Sequence, residues 1–377
     1  MTHATLSVLM TNYNHAHYLP VSVGAILAQE RSPTELLIVD DRSTDDSLSV
    51  LERFERERPI VRVLRNEKNV GVVANINRLV SLSSGDYIYG AAADDWVLPG
   101  FFAEAMELLE RYPQAALCLS PCWLMSETGE RLGMSPAEPI VDQPRYLPPD
   151  ECAQLVRRHV PWISGPSCIL RRDAVVAEGL YDPTLHSFCD EFLNTVLALK
   201  HGVCYIPTPR ACIRMSHSGY AASSIGNTEI ARRIRTRAVE LMLTRYADLF
   251  PESYAREWEA RFRFNIQRRA LRRLYPDHEA RLAQILEGDR VGYVLGNTLL
   301  SAAHRVVTLV LALYLVLRSP HLIPLLTRRR LMRALHTLAR GHAASLWAKW
   351  RRLLAMTAQP TQRSSPISPC SAQRRRT

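Results

Sequence analysis

Four short apolar runs, each stopped by a polar or acidic cluster and followed by a helical pattern, constrain this chain most. Residues 6–10 run into Thr11-Asn12-Tyr13-Asn14, and residues 35–39 (ELLIV) run into Asp40-Asp41. Residues 61–64 lead to the loop 66–71, and residues 87–90 lead to Asp94-Asp95. Between them lie helical stretches: 20–29, opened by Pro20; one capped by Ser43, Thr44 or Asp45 and ending near 58; and 72–83. Another helix, 100–111, follows Pro99. Short buried strands alternating with helices predict an α/β domain around a largely parallel sheet. Loops after the carboxyl ends of such strands collect along one edge, where ligands bind. Residues 11–14, 40–46 and 94–95 are therefore expected to converge on one site.

The pattern loosens downstream. Residues 115–125 read as one strand, and the proline-rich stretch 135–149 as an extended surface loop. Residues 190–201 form an amphipathic run before the strand-like 203–206. From about 230 to 350 the chain reads as helical and rich in Arg and Leu, and 358–377 as a disordered tail. Charge divides the same way. Residues 1–230 carry 19 Lys+Arg and 28 Asp+Glu, net −9, whereas residues 231–377 carry 28 and 9, net +19. That asymmetry assigns chemistry to the first part and an anionic surface to the second. The eight cysteines form no C-x-x-C pair and no zinc spacing, and most sit in apolar runs. They read as buried free thiols in a reducing cytosol. The first residues lack the pattern of a cleaved secretory signal. Neither G-x-G-x-x-G nor G-x-x-x-x-G-K-[ST] is present, which disfavours a dinucleotide-dependent oxidoreductase and a P-loop ATPase.

Asp94-Asp95 is the sharpest chemical feature. Paired carboxylates after a strand suit Mg²⁺ or Mn²⁺, which take oxygen ligands from one or two carboxylates plus substrate phosphates. Helix capping is the structural alternative. Asp40-Asp41 similarly suits either a turn or hydrogen bonding to a nucleotide.

Residues 6–14 (LSVLMTNYN), 35–47 (ELLIVDDRSTDDS), 66–71 (NEKNVG) and 85–99 (GDYIYGAAADDWVLP) occur in an order and spacing that resembles family 2 glycosyltransferases. The resemblance covers roughly residues 5–215. It implies a GT-A type nucleotide-sugar-binding domain with a mixed, mostly parallel sheet, followed here by a basic α-helical C-terminal region. It implies inverting transfer from a nucleotide diphosphate sugar. Thr11, Tyr13 and Asp41 match nucleotide-binding positions, and Asp94 and Asp95 match the ribose and metal positions. Ala92 stands where the family places the first acid of D-x-D-D, which shifts weight onto Asp95 as metal ligand. The family's general base opens a helix, and the matching segment here is Cys189-Asp190-Glu191. Its acidic order is inverted relative to the family, so the base is Asp190 or Glu191; ordinary helix-dipole complementation is the alternative. Gly165-Pro166-Ser167 fits the acceptor-side loop, and His217 is a further candidate near the diphosphate and metal.

The basic half holds the most apolar run, residues 306–317. Extending it to 294–317 gives spanning length but places Arg305 at its centre. The apolar gain, about −5 kcal/mol, is nearly cancelled by Arg305, Asn297 and His304. An interfacial or re-entrant helix is the better expectation, since Arg/Lys flanks add about 1 kcal/mol each near an anionic leaflet. The expected organisation is a catalytic domain at 1–225, a membrane-associating helical region at 226–357 and a tail at 358–377. The expected function is metal-dependent glycosyl transfer to a glycan or lipid-linked acceptor in bacterial cell-surface polysaccharide assembly. The expected place is cytoplasmic, peripheral to the inner face of the cell membrane. The rival readings are a catalytically weak sugar-nucleotide-binding membrane scaffold and, disfavoured by the lack of a motif, a nucleic-acid binder.

Overall fold

The computed structural model describes residues 3–158, 163, 165–216 and 219–272. The first part alternates β1 (Leu6–Asn12), α1 (Leu19–Leu27), β2 (Glu35–Asp40), α2 (Ser47–Glu57), β3 (Val61–Arg65), α3 (Val72–Leu82) and β4 (Tyr87–Ala92). These four strands are parallel, in the order β3-β2-β1-β4. Their side chains alternate between two cores. Leu9, Leu37, Val39 and Ile88 enter one, while Val8, Met10, Leu36 and Ile38 enter the other. A sheet covered on both faces needs such continuous apolar runs.

The second part contains β5 (Trp96–Val97), α4 (Phe101–Arg111), β6 (Leu117–Leu119), β7 (Cys122–Met125), β8 (Arg131–Ser135), β9 (Arg145–Leu147) and α5 (Pro149–Arg157). After a 3₁₀ turn, Gly165–Ser167, come β10 (Cys168–Arg171), α6 (Arg172–Ala177), a second 3₁₀ stretch, Pro183–Phe188, and α7 (Cys189–His201). β11 (Val203–Tyr205), β12 (Ala211–Arg214), α8 (Tyr220–Gly226), α9 (Thr228–Leu243) and α10 (Glu252–Arg272) complete the described elements. β10 lies antiparallel between β4 and β6, extending the parallel strands into an eight-stranded sheet, β3-β2-β1-β4-β10-β6-β11-β9. A four-stranded sheet, β5-β12-β7-β8, stands beside the Asp94-Asp95 turn.

The stretch read as one strand over 115–125 is two. Pro121 has no N–H for a ladder, so β6 joins the large sheet and β7 the small one. The proline-rich stretch 135–149 is not loop throughout, because β9 forms the far edge of the large sheet. Helix α2 begins at Ser47, later than the Ser43–Asp45 caps suggest. The Asp45 carboxylate takes the N–H groups of Ser47 (3.0 Å) and Ala16 (3.0 Å), tying the turn to the loop after β1. Seven cysteines are buried, and Cys370 lies outside the described residues. Helix α9 turns Ala238, Leu241 and Met242 into the core shared with α7. No helix among the described residues is long and apolar enough to cross a membrane. The apolar run 294–317, its basic flanks and the tail 358–377 lie outside them.

Candidate active site

The carboxyl ends of β1, β2 and β4 form one edge. The side chain of Asn12 donates to Asp40 (2.9 Å) and Ser43 (3.2 Å), locking the end of β1 to the loop after β2. Asn14, in the left-handed region at φ 59°, accepts from the Thr44 N–H at 2.7 Å. Thr11 is half-buried on β1, and Tyr13 is 45% exposed just past its end, free to stack on a ligand ring. Asp41 is buried. It accepts from Asn66 Nδ2 (2.8 Å), Val70 N–H (2.9 Å) and Gly71 N–H (2.9 Å). Burial alone would raise its pKa, but these hydrogen bonds win and hold it below the ordinary value. Asp41 therefore shapes the loop 66–71, and its second oxygen retains a lone pair for a ligand donor. Gly71, at φ 88°, occupies the turn that carries one of those N–H groups into α3.

Asp94 is half-buried and Asp95 buried in the turn between β4 and β5. Asp95 Oδ1 accepts the Arg214 backbone N–H at 2.7 Å. Burial, and then the neighbouring Asp94, push the Asp95 carboxyl up to about 8. Two adjacent carboxylates with so little compensation suit a divalent cation. Among the described residues no group of three or more His, Cys, Asp or Glu forms a metal cluster, so such an ion would rest on these carboxylates plus substrate oxygens. His217 lies outside the described residues. Arg214, on β12, spans the turn: its Nε donates to the Asp94 carbonyl (3.1 Å) and an Nη to the Glu127 carbonyl (3.1 Å). Its guanidinium lies 4.3 Å from the Tyr18 ring centroid and 5.1 Å from that of Trp96.

Asp190 and Glu191 open α7. A β-carbon on Gly165 would fall well under 3.0 Å from Asp190 Oδ2, so the carboxylate rests against the glycine itself. Burial pushes the Asp190 carboxyl up. Glu191 keeps a solvent-exposed surface, and burial by surrounding protein, followed by Asp190, pushes its carboxyl up to about 7. The next residue after Gly165 connects to β4, because Tyr89 donates its hydroxyl to the Pro166 carbonyl at 2.8 Å. The turn Gly165–Ser167 thus touches Asp190 on one side and β4 on the other. The approach to α7 is itself strained: His186 adopts φ 46°, ψ −125°. Asp182 holds that approach, accepting from Thr184 N–H (2.8 Å) and from Arg237 of α9 (2.8 Å).

With this arrangement the chain's relatives can be compared. Residues 7–177 match the model of glycosyl transferase family 2. This chain carries a family 2 glycosyltransferase domain. The glycosyltransferase YibD of Escherichia coli is 28% identical over 180 residues, 46% of this chain and 51% of that protein. The putative glycosyltransferase EpsE of Bacillus subtilis is 30% identical over 108 residues, 28% of this chain and 39% of that one. The chain thus spans about half or less of these relatives' lengths. In fold, the glycosyltransferase domain is similar to Staphylococcus aureus TarS 1–349 in complex with UDP. The TM-score is 0.54 at 15% identity, covering 84% of this chain and 92% of that one. It is also similar to the mannosyltransferase PcManGT of Pyrobaculum calidifontis in complex with GDP-Man and Mn²⁺. There the TM-score is 0.50 at 17% identity, with coverage of 84% and 86%.

The structure brings Thr11, Tyr13, Asp41, Asp94 and Asp95 to one sheet edge, and joins Asp190 to β4 through Gly165–Ser167. Sequence reasoning missed Arg214, which contacts the Asp94-Asp95 turn from 119 residues away. No local motif announces it.

Proposed function

We propose that this protein is an inverting glycosyltransferase that moves a sugar from a nucleotide diphosphate to a hydroxyl of a glycan or lipid-linked acceptor. The observation that carries the reading is the turn Gly165–Ser167, which touches the half-buried Asp190 of α7 on one side and, through Tyr89, the strand that leads to Asp94-Asp95 on the other. Tyr13 and the loops after β1 and β2 bind the base and ribose. Asp95, with Asp94 beside it, would hold Mg²⁺ or Mn²⁺, which when bound supplies positive charge to the departing diphosphate.

Asp190 is the general base, because its carboxylate rests against Gly165, next to the Pro166 carbonyl that Tyr89 of β4 holds, and geometry precedes pKa in such an assignment. Its carboxylate takes the acceptor hydroxyl proton as that oxygen bonds to the anomeric carbon. The carbon–oxygen bond to the diphosphate breaks on the opposite face, and the configuration inverts. Glu191, exposed beside it at the start of α7, faces the incoming acceptor. Residues 290–357, basic and apolar by sequence, hold the enzyme at an anionic membrane, which fits a role in cell-surface polysaccharide assembly.

The test is a thermal-shift screen of UDP, GDP and their sugars with and without Mn²⁺, followed by release of nucleotide diphosphate. A Mn²⁺-dependent stabilisation by one nucleotide, and turnover of its sugar, are expected. A folded protein that no nucleotide stabilises would refute the reading.

A further inference from the structure

Next to Asp190 and Glu191 lies a cluster that the transfer reaction above does not use. Helix α10 presents Tyr254, Trp258 and Phe262 at four-residue spacing, so the three rings share one face. Phe188, two residues before Asp190, meets Trp258 at 5.2 Å and Phe262 at 6.2 Å between ring centroids. Trp258 and Phe262 stack at 5.0 Å, and both are half-buried, so part of the shelf remains accessible. Tyr254 lies within electrostatic reach of Glu191, and Tyr220 of α8, 44% exposed, within reach of Asp190. The shelf therefore borders the two acids.

The same face of α10 carries Arg261, seven residues or about 10 Å beyond Tyr254. One of its guanidinium nitrogens is buried without a hydrogen-bond partner. Among the described residues none forms an ion pair with it, and its pKa is lowered by burial alone. The other arginines with a buried unpartnered nitrogen, Arg210 and Arg235, each pair with a glutamate, Glu104 and Glu259 respectively. Structures rarely leave a buried cationic donor idle, and such a group calls for an explanation.

We propose that Phe188, Trp258, Phe262 and Arg261 form the acceptor subsite, and that the acceptor is an anionic saccharide. Its ring lies on the aromatic shelf while a carboxylate or phosphate pairs with Arg261. The inference rests on the reading of Asp190 and Glu191 as the acceptor side of the reaction. A planar guanidinium recognises either anion through paired N–H donors. A carboxylate would belong to an acidic glycan and a phosphate to a phosphate-linked saccharide.

The test is isothermal titration of the full chain, with UDP and Mn²⁺ present, against cellobiose, cellobiouronic acid and cellobiose 1-phosphate. At least one anionic probe should bind ten- to a hundredfold more tightly than cellobiose, and the better of the two names the source of the anion. Arg261→Gln should erase that preference, bringing the anionic probes to the affinity of cellobiose, whereas Trp258→Ala should weaken all three. Should Arg261→Gln fail to fold, Arg261→Met preserves the packing of the stem and must show the same loss. Equal binding of the three probes, no binding of any, or a preference that survives removal of the guanidinium would overturn the proposal. Asp190→Asn and Glu191→Gln separate it from the catalytic reading. If both retain turnover, the base lies elsewhere, yet the Arg261 preference is read independently in the binding experiment.

Discussion

Gly165→Ala is the most direct probe of how the acceptor side is aimed. The backbone at Gly165 is not in the left-handed region, so alanine adds little conformational strain. What it adds is a methyl pressed onto Asp190 Oδ2 and about 3.3 Å from Asp190 Cγ. The carboxylate must retreat by about 1 Å, and a displacement of that size costs on the order of 100-fold in rate. Donor binding is built from β1, β2, β4 and the Asp94-Asp95 turn, so it should not change. The assay is steady-state release of nucleotide diphosphate, with nucleotide affinity measured separately. The expected result is kcat down about 100-fold with unchanged nucleotide affinity and a melting temperature within a few degrees of the parent. In an Asp190→Asn background the same change should cost almost nothing, because both changes act through one carboxylate. Parental kcat in Gly165→Ala would refute the argument, as would an undiminished effect in the Asp190→Asn background.

Other perturbations separate the remaining parts. Asp95→Asn should abolish Mn²⁺-dependent nucleotide binding while the fold survives, read by thermal shift with and without the ion. Arg214→Lys should weaken nucleotide affinity about tenfold, since a lysine cannot stack between Tyr18 and Trp96 while donating to the Asp94 carbonyl; unchanged affinity would remove Arg214 from the site. Glu178 is buried, and although burial opposes it, donors from Lys200 (2.6 Å) and Tyr246 (3.0 Å) keep its pKa below the ordinary value. Its stabilising contribution is therefore present above pH 4.5 and is lost as pH falls through the lower folded value. Glu178→Gln should cost about 2–3 kcal/mol at neutral pH, with a smaller deficit in acid, measured by denaturant melts at pH 7 and pH 3. Membrane pellets should release the protein at least partly to high salt or carbonate; release by detergent alone would argue for a spanning segment.

The donor half was readable because its signals are local. A buried parallel strand is a continuous apolar run, and the loop that follows must be polar, so β1 to β4 and the clusters at their ends stand out in a single pass. The region beyond residue 111 was harder to read for a physical reason. Its strands are three to five residues long, and β10 acquires meaning only by inserting between β4 and β6. The break at Pro121 was visible as a proline but not as a change of sheet. Asp190 and Glu191 were located by their helix, yet only the close approach of Gly165 shows which carboxylate meets the turn Gly165–Ser167. Arg214 and Trp258 owe their places to contacts over tens of residues, which no period or motif encodes.

The position of β10 also has a consequence for vectorial synthesis. β3, β2, β1 and β4 are complete once residue 92 has left the ribosome, whereas the strand that extends them comes from residues 168–171. For the time needed to add those residues, several seconds at about 5–20 per second, β4 is an edge with open hydrogen-bonding groups. The nascent chain at that stage already owns the loops after β1, β2 and β4 but neither the acid of α7 nor Arg214. Nucleotide arriving then would meet a half-built pocket, and a chaperone or a second nascent copy would meet a free strand.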